Sequence, residues 1–420
     1  GSDAVSSQDF PQNVSQSHMD PVRVSPGRVS ISEPYRIDFL QTALLPRVMI
    51  DEGEIKPGLY LGTGDVLGRQ NIFAGLAAAP ANGDRDLFLI YELKKWRPTL
   101  FAEFFHQRRH SSKKDSSEAR DFVRDAVNFN LNQVSLGLRG NLGRPNELSV
   151  SFTYDRYDAS VEWSVFVDRR DGTLGLDLEK QKPFGYTYLN GFDLGLTYRH
   201  NGIARTQDRD INPKGRRIFF RYGRVFNYFL EDFDRNTTFI KEEYKKLFYN
   251  QFTLDWNEFV PLPWNTTFGL RFFGGWIDNE EVNDPELIDD FFDYRLGGLP
   301  FMKGYTFYSL EGRKAAMTTA SFRFPLISSI RRRFAHIYFE RLYGTVYADV
   351  GKAWDKNFDD PDPVFGRKAP LRDVGGQLRF DMLSYYGLPT RIQFDGAYGI
   401  DEISDKQPWK FYLTVLFGYL

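Results

Sequence analysis

Leu148, Val150, Phe152 and Tyr154 alternate one for one with Ser149, Ser151, Thr153 and Asp155. A period of two places the first set on one face of a β-strand and the second on the other. The pattern recurs along the chain. Leu87, Leu89, Tyr91 and Leu93 share a face. Phe192, Leu194, Leu196 and Tyr198 oppose Asp193, Gly195, Thr197 and Arg199, and Phe252, Leu254 and Trp256 oppose Gln251, Thr253 and Asp255. Gly, Asn and Asp turns separate many of these segments. The pattern predicts sixteen strands, over 56–65, 70–79, 86–94, 98–107, 127–141, 147–155, 158–169, 186–200, 214–225, 247–259, 264–276, 312–326, 341–354, 373–383, 389–400 and 408–420. The seventh is the least regular.

Each predicted strand sets an apolar face against one rich in Arg, Asp, Gln and Thr. A soluble sandwich would turn its apolar faces inward and its polar faces to water, and a membrane barrel reverses this. Periodicity alone does not separate the two. The long series of consecutive hairpins and the aromatics at strand ends favour an all-β fold, a 16-stranded antiparallel transmembrane β-barrel. Closure leaves no backbone group unpaired in lipid. Composition agrees, with 39 Phe, 23 Tyr and 36 Gly in 420 residues. No apolar run approaches the roughly 18 residues of a helical span. Net charge is −2 and no basic stripe is present, which argues against nucleic acid as a partner. Cysteine is absent, so disulfides and thiol metal sites are excluded. Residues 1–45 read as a tag or linker, or as the remnant of an upstream domain, and 46–420 as the barrel. Gly1-Ser2 looks tag-derived, so the precursor start and any upstream domain are expected to lie outside this sequence.

One connection stands apart. Residues 277–311 form a loop of about 35 residues, long for a compact β protein and therefore a functional candidate. At its centre is RLGGLPFMKGY, Arg295–Tyr305. Gly297, Gly298 and Gly304 permit tight backbone paths. Phe301, Met302 and Tyr305 surround Lys303, a set suited to anchoring a loop that folds back into a barrel lumen. Asp349 is the expected partner of the lysine, on a polar face with Thr345 and Tyr347. Arg323, Arg379, Asp381, Arg391 and Asp395 also fall on polar faces, and a charged lumen needs pairing or water. The bland alternative makes Lys303 an exposed turn residue.

This segment resembles the loop signature of the Omp85 superfamily, the outer-membrane family of barrel assembly factors and two-partner secretion transporters. Lys303, Gly304 and Tyr305 match its Arg-Gly-Phe/Tyr motif, with Gly297 and Gly298 upstream. ASFRFPL at Ala320–Leu326, GTVYADVGKAW at Gly344–Trp354, NPKGRRIFFRY at Asn212–Tyr222 and GDVLGRQNIF at Gly64–Phe73 resemble other family segments in the same order. The resemblance covers about Lys56–Leu420. It implies sixteen strands with the loop between the eleventh and twelfth. There are departures. Lysine replaces the motif arginine and loses its planar fork. Ser321 stands where the family often has a glutamate, followed by Arg323, which leaves Asp349 as the better partner. The chain does not end in the usual phenylalanine, and no repeat resembling the family's POTRA domains is present.

By resemblance, the barrel sits in the outer membrane of a Gram-negative cell and assembles outer-membrane proteins or translocates polypeptides. Its seam would lie between the first and last strands, with Tyr60 and Leu61 on one side and Leu416 and Tyr419 on the other. Its partners would be outer-membrane lipid, nascent outer-membrane or secreted polypeptides, and periplasmic or surface accessory proteins. A barrel that never opens, serving as a scaffold, and a diffusion pore are the alternatives. No enzyme is expected, because no nucleophile with a base is evident, and no cofactor is called for. His106 and His110 beside Lys113 and Lys114 read as a surface loop rather than a metal site. The acids from Asp278 to Asp293 read as a solvated face rather than a calcium loop.

Overall fold

The computed structural model describes residues 41–51, 54–80, 83–111, 122–168, 176–204, 212–234, 241–279, 292–361, 366–384, 388–401 and 408–417. Eighteen strands form one antiparallel sheet. Its members in chain order begin with β1 (Gln41–Asp51), β2 (Glu54–Gly64), β3 (Gln70–Ala78), β4 (Arg85–Leu93), β5 (Thr99–Ser111), β6 (Phe122–Asn141) and β7 (Asn146–Asp168). β8 (Leu176–Lys180), β9 (Phe184–Asn201), β10 (Gly215–Asp234), β11 (Lys241–Leu262) and β12 (Thr266–Ile277) follow. Within the long connection, β13 (Tyr294–Leu296) and β14 (Leu310–Gly312) form a separate two-stranded sheet. The last members are β15 (Lys314–Ile327), β16 (Arg332–Phe334), β17 (Ile337–Trp354), β18 (Leu371–Ser384), β19 (Leu388–Gly399) and β20 (Trp409–Phe417).

β8 and β16 are short flaps, each paired with one neighbour, β7 and β17. The remaining sixteen strands run as an unbroken meander from β1 to β20. The long connection follows the eleventh of these, β12, and precedes the twelfth, β15. The number matches the sequence reading, but two of its members differ. The segments predicted as 147–155 and 158–169 are one strand, β7, whose pairing with β9 slips between Tyr157 and Asp158. A shift of this kind interrupts the period of two without ending the strand. The place is taken by β1, which begins inside the segment assigned to residues 1–45. Residues 1–40 lie outside the described residues. β1 pairs with β2 throughout, Gln41 with Gly64 to Asp51 with Glu54.

The polarity of the two faces is inverted relative to a soluble protein. Leu136, Val150, Leu194, Phe272, Val346 and Leu413 are exposed large apolar residues. Ser135, Thr153, Asp193, Asp349, Asp381 and Asp395 are buried. On β7, Ser149 is 7% exposed while Val150 beside it is 53% exposed. A sheet in water would bury the second and expose the first. Contiguous exposed apolar surface over so many strands fits a lipid-facing belt. No helix among the described residues is long and apolar enough to cross a membrane, which says nothing of a β-barrel.

Candidate functional site: the docked loop

The glycines open the loop. Gly297 and Gly298 have φ of 110° and 84°, a region that side chains with a Cβ rarely occupy. The turn they make is closed on itself. Gly298 N–H donates to the carbonyls of Met302 and Tyr305 (3.1 and 3.2 Å), and Phe301 N–H donates back to Gly298 (3.1 Å). β13 and β14 hold the two arms together, Leu296 opposite Leu310.

The apolar residues of the loop pack on the inward face of the sheet. Leu296, Met302, Tyr305 and Leu310 cluster with Phe273 of β12, Ala315 and Met317 of β15, Ala353 of β17 and Leu371 of β18. Met302 is fully buried. Burying such a side chain is worth about 1.5–3 kcal/mol. Arg271 on β12 supports the outgoing arm. Its guanidinium takes Asp255 through two bonds (3.0 and 2.7 Å), donates to the Pro300 carbonyl (2.8 Å) and lies over the Phe301 ring (5.2 Å).

The tip then reaches across the last four strands. Lys303 Nζ pairs with Asp395 Oδ1 of β19 at 2.5 Å and lies 4.4 Å from the ring centre of Tyr347 on β17. Gly304 N–H donates to Asp373 Oδ2 of β18 (3.0 Å). A Cβ on Gly304 would sit 2.6 Å from Asp373 Cβ and 2.8 Å from Gly399 N, so only glycine fits this approach. Tyr305 Oη donates to the Arg372 carbonyl (2.7 Å) and accepts from Asp401 N–H (3.2 Å). Tyr412 Oη on β20 donates to the carbonyls of Lys303 (2.9 Å) and Tyr305 (3.3 Å), and its ring meets Phe307 edge-on. The loop is therefore tied to the final strand of the sheet.

Several sequence-predicted residues take other places. Lys303 meets Asp395, not Asp349. Both carboxylates face inward, but the tip lands nearer β19 than β17. Asp349 instead lies directly across the ladder from Asp373 and lines a cavity of about 280 Å³ beneath the tip, with Lys303, Phe301, Ser321 and Arg323. Ser321 Oγ donates to the Gly269 carbonyl (3.3 Å) and Arg323 lies over the Phe259 ring (5.2 Å). Arg379 and Arg391 both hold Asp381, each through Nε at 3.0 Å. Tyr60 and Leu61 sit on β2, which is paired with β1 on one edge and β3 on the other, so they do not flank an end of the sheet. Among the described residues the end strand is β1. Leu416 lies on β20 opposite Arg391, and Tyr419 lies outside the described residues. The acids from 280 to 291 also lie outside them. Tyr412 and Asp373 were not foreseen as loop partners, although Tyr412 alternates with Phe411 and Leu413 and so marks itself as inward.

His106 accepts from Arg85 Nε (3.0 Å) and contacts Asn132, and His110 contacts Asn128. Lys113 and Lys114 lie outside the described residues. Among the described residues no three His, Cys, Asp or Glu side chains are grouped to hold a metal.

No family model and no curated protein sequence matches the chain. Solved structures do. BamA from Haemophilus ducreyi lacking POTRA domains 1–3 aligns over 90% of this chain and 75% of its own, with TM-score 0.54 and 11% identity. CdiB from Escherichia coli aligns over 89% of this chain, with TM-score 0.51 and 12% identity, and this chain spans 62% of its length. At such identity the likeness is one of fold. The resemblance to the Omp85 superfamily read from the sequence is thus met by an independent likeness of fold.

Proposed function

We propose that this chain is an outer-membrane β-barrel of the Omp85 type that assembles outer-membrane proteins or translocates polypeptides, and that it does so through a seam between β1 and β20. The observation that carries this reading is the hydrogen bonding of the loop tip to Tyr412. The loop braces the last strand from inside, so its docking is coupled to the state of that strand's free edge. Among the described residues β1 is paired only with β2, and β20 only with β19. Each thus presents one backbone edge. Paired to one another they close the barrel. Apart, they offer a template to which an incoming strand adds by main-chain hydrogen bonds.

Strand length supports the same reading. β3 and β4 have 9 residues each and β2 has 11. β6, β7, β10 and β11 on the far side have 20, 23, 20 and 22. A spanning strand needs about 9–11 residues. The wall is low in the strands that follow β1, where a short apolar belt would thin the adjoining bilayer. The two longest connections (278–313, 355–370) are at the loop's end of the sheet, and most at the other end are short (65–69, 94–98, 142–145), with 202–214 the exception, which supports a loop's end at the cell exterior. No covalent chemistry is required.

The test is reconstitution. Proteoliposomes carrying the chain should speed the folding of a urea-denatured outer-membrane protein over empty liposomes of the same lipid. Equal rates would remove the assembly reading and leave the translocating, scaffold and pore readings.

A further inference from the structure

The proposed function makes no use of a second polar layer in the lumen. It lies four residues along β15 from Thr319, the cross-strand partner of Asp349, toward the short-turn end of the sheet. Arg323 faces Thr345 across the ladder, Thr345 faces Gln377, Tyr343 faces Arg379, and Arg379 faces Gln393. These six side chains line one cavity of about 170 Å³. All six carry donor groups, two guanidiniums, two hydroxyls and two amides, although the Gln377 amide is already given to Asp395 and Arg379 Nε and Nη2 to Asp381. The walls approach the cavity from four strands, β15, β17, β18 and β19, and from several directions.

Four guanidiniums, of Arg217, Arg323, Arg379 and Arg391, gather in and around this layer. Arg379, itself 8% exposed, and Arg391 share the carboxylate of Asp381. Arg323 has Arg217, Arg379 and Arg391 as its charged neighbours. It lies over the Phe259 ring, and among the described residues neither it nor Arg217 pairs with a carboxylate. Positive charge gathered around a small cavity draws counter-anions. Guanidinium forks with surrounding hydroxyl and amide donors suit an anion with several acceptor oxygens.

We propose that this cavity binds a tetrahedral oxyanion of the phosphate class, with Arg323 as its principal ligand and Arg379, Thr345 and Tyr343 completing the shell. The site is independent of whether the barrel assembles proteins, since it rests only on the lumen's donors and charge.

The test is calorimetric titration of inorganic phosphate into the folded chain in detergent, at ionic strength held constant with chloride. Saturable binding is expected in the unaltered protein. Arg323→Gln should weaken it by about tenfold to a hundredfold, the usual worth of a charge-assisted bond. Arg216→Gln is the control. It removes the same charge from an exposed residue paired with Glu258 outside the cavity, and should leave binding unchanged. Thr345→Val loses a neutral donor and should weaken binding severalfold, and it serves alone if Arg323→Gln does not fold. Absence of saturable binding overturns the proposal. So does unchanged binding in the cavity variants, or equal weakening by Arg216→Gln, which would mark a diffuse field in place of a site.

Discussion

Lys303→Met keeps most of the length and apolar body of the side chain and deletes its charge. The Lys303–Asp395 pair has a nearly buried acid (2% exposed) and a mostly buried base (19%). Among the described residues Asp395 then retains Gln377, whose Nε2 donates to both carboxylate oxygens at 3.0 Å. Breaking a buried pair from one side costs about 3–5 kcal/mol. Lys303 keeps some exposure, so about 2–4 kcal/mol is the better figure for loop docking. At about 1.4 kcal/mol per decade, the undocked population should rise roughly 30- to several-hundred-fold. The assay is maleimide labelling of Met302→Cys, a buried position in a chain with no native cysteine. When opening is fast relative to reaction, the labelling rate reports the open fraction. Lys303→Met/Asp395→Asn should restore much of the protection, because the stranded charge is gone. A labelling rate within about twofold of the background variant would refute the electrostatic anchoring of the loop.

Three further outcomes follow from the same geometry. Tyr412→Phe removes one hydroxyl and keeps the ring against Phe307, so it should cost about 0.5–1.5 kcal/mol and raise labelling of Met302→Cys about two- to tenfold, and an unchanged rate would detach the loop from β20. Asp401, in the connection after β19, is partly desolvated, which alone would raise its pKa; the hydrogen bonds and charge of Arg372, with the charge of Arg367, outweigh this and hold it below the usual carboxylate range. A depressed folded-state pKa means its stabilisation is present above the ordinary value and lost as pH falls through the lowered one, so loop labelling should rise only below about pH 4, and Asp401→Asn should flatten that rise. Leu136→Arg on the exposed face should cost about 2–4 kcal/mol of folding stability in bilayers if the position lies near the midplane, measured by reversible denaturant unfolding, and a cost near zero would place this face in water.

The alternation of Leu148–Asp155 and its counterparts was enough to read most of the sheet, because a two-faced strand writes its period directly into the sequence. β1 was not legible for a physical reason. Leu44 and Leu45 are adjacent and both exposed, and Pro46 lacks the N–H a central strand would need. Proline is tolerated where one edge of a strand is unpaired, so the residue that hid the strand also fits its place at the end of the sheet. β7 read as two strands because a register slip at Tyr157 resembles a turn. The loop's apolar anchors were visible in RLGGLPFMKGY, and polarity placed Asp349, Arg379, Asp381 and Asp395 on inward faces. Polarity does not say where the tip lands. That depends on the two positive-φ glycines and on the packing of Met302, which carry Lys303 past β17 to Asp395 and bring its backbone to Tyr412.

The most direct test of the account is disulfide crosslinking of the seam. Single cysteines at Ala43, Leu44 or Leu45 of β1 are paired with single cysteines at Leu413, Thr414 or Val415 of β20, several combinations being needed to find the register. The account predicts that at least one pair crosslinks efficiently in outer membranes and that oxidation abolishes activity in a cell-based assembly or secretion assay, with reduction restoring it. Efficient crosslinking with full activity would mean the barrel works closed, and would contradict the opening of β1 from β20.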